Sequence, residues 1–296
     1  MSMRVAIYAK HFSAEARPFV EDLFASLKQK KVELLIYAQL HEFLKLHCPE
    51  VIEYQVFSDH VELNRLVPDF LITLGGDGTI LDAATIVRDA RIPVLGINLG
   101  RMGFLADVAK TEVKLAVDEL ERGNYRIVER SLIEVETDES VLSIPFPYAL
   151  NEVTTSRKDS TAMVSVNAYI DDVFLTTYWA DGLIVATPTG STGYSLSCGG
   201  PIVVPEAHDF VLTPIAPHNL NVRPFVIPDK QEIELHVESR NERILISLDS
   251  RIYDAPRGCR LRLRKAGFQL ASVQLHAQPF ASTLRSKLFW GADRRN

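Results

Sequence analysis

The apolar and polar positions of this chain fall into two rhythms. Through residue 122, short apolar runs alternate with helical periodicity, as in a βα sheet. Arg4–Ala9 predicts a strand, and Ala14–Lys30 an amphipathic helix with Phe19, Val20, Leu23, Phe24 and Leu27 on one face. Val32–Tyr37 reads as a second strand. Phe70–Leu74 and Pro93–Ile97 are further apolar runs, with a helix over Ile80–Asp89 between them. Such uninterrupted runs suit a parallel sheet buried on both faces. A helical stretch, Thr111–Arg122, closes this half.

The period then drops to two. Leu132–Thr137, Val141–Ile144, Ala162–Ile170, Val173–Trp179 and Leu183–Ala186 read as strands, with Asp171-Asp172 as a hairpin turn. Glu232–Val237, Arg243–Leu248, Arg260–Lys265 and Phe268–Leu275 continue the pattern. Ser282–Phe289 returns to helical spacing. The predicted division is 1–122 as an α/β domain, 123–275 as a β-rich domain, and 276–296 as a C-terminal segment that packs back on the first. A chain of 296 residues is long enough for two cores.

Composition narrows the classes. A hydrophobic fraction of 47% and a charged fraction of 24% are ordinary for a globular protein. No apolar stretch reaches the roughly 18 residues of a membrane span. Met1-Ser2-Met3-Arg4 runs straight into a strand, so no secretory leader is expected. Three dispersed cysteines, Cys48, Cys198 and Cys259, argue against a disulfide framework and fit a reducing cytoplasm. His41, His47 and Cys48 lack a second ligand pair at metal spacing and read as surface positions on a short helix. A net charge of −6 argues against nucleic-acid binding. The basic run Arg260, Arg262, Arg264 alternates with Leu261 and Leu263, which is the solvated face of a half-buried strand.

Two stretches carry chemistry. The first, Leu74-Gly75-Gly76-Asp77-Gly78-Thr79, follows the apolar run at 70–74. Its glycines permit close backbone approach to a ligand, and Thr79 can cap the next helix. A carboxylate there would repel a phosphate. It makes sense if Asp77 binds a metal or takes a proton from a hydroxyl attacking a phosphoryl group. A second glycine-rich turn, Gly96 to Leu105, leaves a strand at the same sheet edge, where ligands of such sheets bind. The other stretch, Thr187 to Pro201, packs four glycines and six Ser/Thr hydroxyls around Tyr194, just after Asp181. Hydroxyls and bare N–H groups bind phosphate and ribose oxygens without adding negative charge.

Taken together, Gly75-Gly76-Asp77-Gly78-Thr79, Asn151-Glu152, Asp181-Gly182 and Thr187–Pro201 resemble, in order and spacing, the motifs of bacterial NAD kinases. The likeness extends to Asn98-Leu99-Gly100 through Gly103-Phe104-Leu105, and to Pro217-His218 through Arg223-Pro224. The resemblance implies an α/β N-terminal domain with a parallel Rossmann-like sheet and a mostly-β C-terminal domain. It implies transfer of the ATP γ-phosphoryl group to the 2′-hydroxyl of the adenosine ribose of NAD. A divalent cation, Mg²⁺, would assist, and the chain would form a homo-dimer or homo-tetramer with the dinucleotide site near a subunit interface. ATP and NAD would be the substrates, with no nucleic-acid or membrane partner.

Carried over by position, Asp77 looks like the proton acceptor and Gly78 like a backbone contact. Asn151, Glu152, Asp181, Thr192, Gly193, Tyr194, Ser195, Leu196 and Ser197 look like dinucleotide contacts, with Ala216 and Arg251 at weaker positions. No residue is singled out as a metal ligand. Where many bacterial relatives carry a basic residue two positions before Asp181, this chain has Trp179, whose indole could stack on a ring of the dinucleotide. A lipid or sugar kinase would share the GGDG loop but not the hydroxyl-rich run. A non-catalytic NAD sensor would be expected to lose Asp77. A dehydrogenase would need G-x-G-x-x-G spacing, which Ile7-Tyr8-Ala9-Lys10-His11 lacks.

Overall fold

The computed structural model describes residues 3–47, 53–100, 103–138, 140–158, 163–275 and 280–288. Cys48, Arg101, Met102, Ala162 and Phe289 lie outside the described residues. The chain divides into two compact units, one formed by Met1–Glu129 with Leu270–Asn296 and the other by Arg130–Gln269.

In the first unit, strands β1 (Arg4–Tyr8), β2 (Glu33–Tyr37), β3 (Gln55–Phe57), β4 (Phe70–Gly75), β5 (Val94–Asn98) and β6 (Val108–Ala109) pair in parallel, in the order β3-β2-β1-β4-β5-β6. Helices α1 (Arg17–Gln29), α2 (Ala38–His47), α3 (His60–Leu66), α4 (Asp77–Val87) and α5 (Val113–Arg122) connect them. The predicted first helix is interrupted: a 3₁₀ turn at Ala14–Ala16 precedes α1, with Pro18 in its first turn, where a missing N–H costs nothing. Val20, Leu23, Phe24 and Leu27 form its buried stripe. Strand order reverses between β1 and β4, which opens a crevice at their carboxyl ends. Lys10, just after β1, pairs there with Asp82 of α4 at 2.6 Å.

In the second unit, a six-stranded antiparallel sheet runs β14-β13-β12-β9-β16-β17. Its strands are β9 (Glu152–Arg157), β12 (Gly182–Ala186), β13 (Asp209–Ile215), β14 (Phe225–Pro228), β16 (Arg243–Leu248) and β17 (Arg251–Pro256). Strands β7 (Arg126–Glu136), β8 (Tyr148–Ala149), β10 (Val164–Ile170), β11 (Val173–Ala180), β15 (Ile233–Ser239) and β18 (Cys259–Gln274) form the other layer. One core joins residues of both layers, including Val166, Tyr178, Leu235 and Leu261 with Val185, Phe210, Ile246 and Ala255. The hairpin joining β10 to β11 turns at Asp171 and Asp172, both at positive φ, as a two-residue turn requires.

Several elements differ from expectation. Val141–Ile144 is not a strand: the amides of Val141 and Leu142 turn back onto the Asp138 carbonyl. Arg260–Lys265 and Phe268–Leu275 are parts of the single strand β18, whose Arg260, Arg262 and Arg264 are exposed while Leu261 and Leu263 are buried. Arg262 and Arg264 pair with Glu232 and Glu134, each at 3.0 Å, which is why that face tolerates its charge. The closing helix α6 (Phe280–Leu288) belongs to the first unit, with Leu284 buried.

Candidate active site

The strand β4 delivers the chain to the crevice, and Gly75-Gly76 turn it directly into α4. The helix begins at Asp77 with Gly76 as its N-cap, so Thr79 is not the cap; it lies within the first turn. The turn is tight enough that a Cβ on Gly75 would fall 2.0 Å from Thr79 Oγ1. By contrast, a Cβ on Gly76 or Gly78 would meet nothing within 4 Å. Two of the three glycines are therefore not demanded by the protein's own packing, and they leave open space beside the helix N-terminus.

Asp77 is held by the second glycine-rich turn. The amide of Phe104 donates to its Oδ2 at 2.7 Å. The amides of Leu105 and Ala106 donate to Oδ1 at 3.0 and 2.9 Å. Gly103 lies so close that a Cβ there would be 1.7 Å from Oδ1. The two glycine-rich turns thus form one constellation, in which 103–106 orients the carboxylate. A carboxylate has about four acceptor positions, so three amide donors leave about one free.

In the second unit, Asn151 and Glu152 stand where β9 begins. Their backbone is fixed by Asp249, which accepts from the amides of Leu150, Asn151 and Glu152 at 2.9, 2.7 and 3.2 Å. Asp249 occupies the β16–β17 turn at positive φ, and Arg251 supports it at 3.8 Å. The Arg251 guanidinium also donates to the carbonyls of Phe146 and Tyr148 and lies over the Phe146 ring at 5.0 Å. Its visible work is to brace the turn.

Side chains of Asn151 and Glu152 face the Thr187–Pro201 run. A Cβ on Gly193 would sit 3.0 Å from Glu152 Oε2 and 3.6 Å from Asn151 Nδ2. A Cβ on Gly190 would strike the Asn151 carbonyl at 2.0 Å. Among the described residues, the buried Asn151 Oδ1 and Glu152 Oε2 have no hydrogen-bond partner. Such orphans are rare and costly unless something else satisfies them. Burial, then the neighbouring Asp249 carboxylate, push the Glu152 carboxyl up to about 7. Burial likewise raises Asp249, against the pull of its amide donors.

Most hydroxyls of the Thr187–Pro201 run have partners within the protein. Thr187 Oγ1 donates to the Leu150 carbonyl, and Ser191 Oγ donates to Pro188 and accepts from Val203. Thr189 Oγ1 accepts from Arg130 at 3.3 Å. Thr192 Oγ1 donates to the Thr189 carbonyl. Ser195 is fully buried, its hydroxyl 2.8 Å from that of Thr213. Five of the six hydroxyls thus hold the run in shape as a 3₁₀ turn (Thr189–Thr192) and one helical turn (Tyr194–Ser197). Ser197 and Tyr194 are exposed, while Leu196 and Gly193 are partly so. Partial burial, then the neighbouring Cys198, raises the Tyr194 hydroxyl pKa.

Asp181 follows β11 and pairs with Arg157 of β9 at 2.8 Å. Its amide donates to the Ile215 carbonyl, which places the next residue, Ala216, at the same corner, with φ of 44°. Gly182 lies against the Thr155 carbonyl, where a Cβ would be 2.4 Å away. Trp179 is 54% exposed, its backbone bound to Asn219 and His218. It is no core residue. Sequence reasoning missed Asp249 and Arg157. Leu248-Asp249-Ser250-Arg251 signals a hairpin turn, and nothing in that signal tells that its acid reaches residues 150–152.

Comparison with known proteins places this geometry. The model of the ATP-NAD kinase N-terminal domain matches residues 5–125, and that of the ATP-NAD kinase C-terminal domain matches 150–275. A NAD kinase of Cytophaga hutchinsonii is 43% identical over 296 residues, spanning 99% of this chain and all of that one. The structure of an Archaeoglobus fulgidus NAD kinase in complex with ATP superimposes with a TM-score of 0.73 at 25% identity, covering 97% of this chain and 99% of that one. A yeast NADH kinase complexed with NADH shares the fold, with a TM-score of 0.86 at 24% identity over 99% of this chain and 89% of that one.

Proposed function

The chain belongs to the ATP-NAD kinase family, and from that premise we propose that it transfers the γ-phosphoryl group of ATP to the 2′-hydroxyl of the adenosine ribose of NAD, releasing NADP and ADP. The observation that carries the reading is the Asp77 carboxylate, oriented by three amides with about one acceptor position left. A ribose hydroxyl is a poor nucleophile until a base within hydrogen-bond reach takes its proton. As the new P–O bond forms, that proton passes to Asp77. The bond to the β-phosphate oxygen breaks, and its electron pair leaves with ADP. Gly78, in open space beside it, offers its backbone to the substrate.

Asn151 and Glu152 supply the grip on the dinucleotide. Their unpartnered acceptors take hydrogen bonds from ribose hydroxyl or adenine amino donors. Asp181, Thr192, Gly193, Tyr194, Leu196 and Ser197 complete the contact surface, Ser195 holding it from beneath through Thr213. Ala216 sits at the Asp181 corner, and Arg251 acts through Asp249. The exposed indole of Trp179 stacks on a ring of the dinucleotide.

The described residues do not fit a resident metal site: no three His, Cys, Asp or Glu among them cluster to hold an ion, and Asp77 is largely committed to amides. The divalent cation, Mg²⁺, would be held chiefly by the phosphates of the nucleotide substrate. Edge strand β11 exposes Val173, Phe174 and Trp179, an apolar edge that suits pairing of copies into a homo-dimer or homo-tetramer. No helix of the described residues is long and apolar enough to cross a membrane, and Cys198 and Cys259 are unpaired, which supports a cytoplasmic setting.

Purified protein incubated with ATP, Mg²⁺ and NAD, and read with an NADP-specific dehydrogenase, tests the reading. NADP accumulating in proportion to protein is the expected result. Its absence at every protein concentration would remove the claim.

A further inference from the structure

The first unit holds a buried charged group with no hydrogen-bonded counter-charge among the described residues. The closing helix α6 (Phe280–Leu288) carries Lys287 near its end. The Lys287 ammonium is buried and, among the described residues, has no hydrogen-bond partner. It lies over the Phe104 ring, 4.5 Å from its centre. Phe104 is the residue whose amide donates to Asp77 Oδ2. Lysine seldom buries its ammonium unpaired, because three donors lose water and gain nothing. Usually its flexible stem snorkels the charge out to solvent instead.

Among the described residues, the ammonium thus keeps its three donors unused beside the N-terminus of α4. The charges of Asp77 and Asp107 act on this ammonium, yet neither carboxylate accepts a hydrogen bond from it. The open space at Gly76 and Gly78 flanks the N-terminus of α4, whose free amides also favour an anion. Burial pushes the ammonium's pKa down, and the two carboxylates push it back up.

We propose that Lys287 is a further catalytic residue: its ammonium donates hydrogen bonds to the transferring phosphoryl group of the bound triphosphate. The assignment rests on the phosphotransferase reading above. Lys287 keeps its proton throughout; the hydroxyl proton goes to Asp77, and the leaving electron pair to ADP. The role of the ammonium is to neutralise charge on the equatorial phosphoryl oxygens, where such transfers are stabilised. The segment that returns to the first unit thereby brings a cation, and the GGDG turn has none of its own.

The test compares wild type with Lys287→Met and Lys287→Arg. In Lys287→Met, the affinity for a non-hydrolysable ATP analogue with Mg²⁺, by calorimetry, is expected to fall about tenfold or more, the usual worth of a charged hydrogen bond. The kcat/KM for ATP should fall at least as far, with the KM for NAD unchanged and Lys287→Arg partly restoring both. Analogue affinity and kcat/KM within about twofold of wild type would overturn the proposal, since a lost contact of this kind costs more. Should Lys287→Met fail to fold, acetylation of wild-type Lys287 by acetic anhydride, followed by mass spectrometry, decides. Protection by the Mg²⁺-loaded analogue but not by NAD supports the contact, and equal labelling in its presence and absence overturns it. Wild-type enzyme that makes no NADP would defeat the parent reading. Active wild type with an unaffected Lys287→Met would defeat this assignment alone.

Discussion

Asp77 and Glu152 are both acidic side chains, in opposite situations. Asp77 accepts three backbone amides from the 104–106 turn and is aimed before any substrate arrives. Glu152 has its backbone clamped by Asp249, but its buried Oε2 accepts nothing, and burial lifts its pKa to about 7. The difference suits the two tasks proposed for them. A group that acts in the chemical step gains from fixed geometry, because misplacement by about 1 Å can cost about 10² in rate. A group that grips a polar ligand gains from unmet hydrogen-bonding capacity, which the ligand then fills.

The sharpest way to break this contrast is to disturb one clamp. Gly103→Ala would place a methyl carbon 1.7 Å from Asp77 Oδ1, so the carboxylate or the turn must move. A kcat loss of about 10²-fold and a lowered Tm are expected. Gly78→Ala adds its methyl to open space and should leave Tm unchanged or slightly higher, since alanine favours a helix. Thermal melts of both variants, with initial rates of Gly103→Ala, check this, and a Gly103→Ala Tm and kcat near wild type would contradict the clamp.

Glu152 sharpens the other side through pH. Its folded pKa, about 7, lies above the ordinary 4.5, so the native state holds the proton more tightly than the unfolded chain. Stability from this group is complete below pH 4.5 and is lost as pH rises through about 7. Glu152→Gln should lose less stability than wild type across that window. The ionised form accepts hydroxyl donors best, so KM for NAD should fall in wild type as pH passes about 7 and stay flat in Glu152→Gln. Parallel KM profiles for the two proteins would remove the gripping role.

A smaller effect is expected at Trp179. With its side chain 54% exposed, core packing is not its role. Stacking predicts that NAD alters intrinsic fluorescence and that Trp179→Leu abolishes the change, leaving Trp290 as the only tryptophan. The KM for NAD should rise by an amount equivalent to about 0.5–1.5 kcal/mol. An unchanged KM with a smaller sedimenting species would assign the indole to contact between copies.

Much of this was legible in sequence. The apolar runs at 70–74 and 93–97 marked the buried parallel strands, and the GGDG turn marked the crevice, because glycine spacing and continuous apolarity are local signals. The Asp171-Asp172 hairpin was legible for the same reason. What sequence hid is tertiary. The six hydroxyls of Thr187–Pro201 look alike in a string, yet five turn inward, and only the fold distinguishes Ser195 from Ser197. Asp249 reaches back nearly a hundred positions to fix Asn151, and Lys287 lies over Phe104 from the far end of the chain. Neither has a pattern in its own neighbourhood.

The division of labour between the two carboxylates is tested most directly by steady-state kinetics on Asp77→Asn and Glu152→Gln in one assay for NADP. The amide at 77 keeps size and polarity but cannot take the proton, so kcat should fall about 10²–10⁴-fold with the KM for NAD within a few-fold of wild type. The amide at 152 should raise the KM for NAD while kcat is largely kept, the mark of uniform binding. Asp77→Asn retaining more than about a tenth of kcat, or Glu152→Gln losing kcat at unchanged KM, would contradict the account.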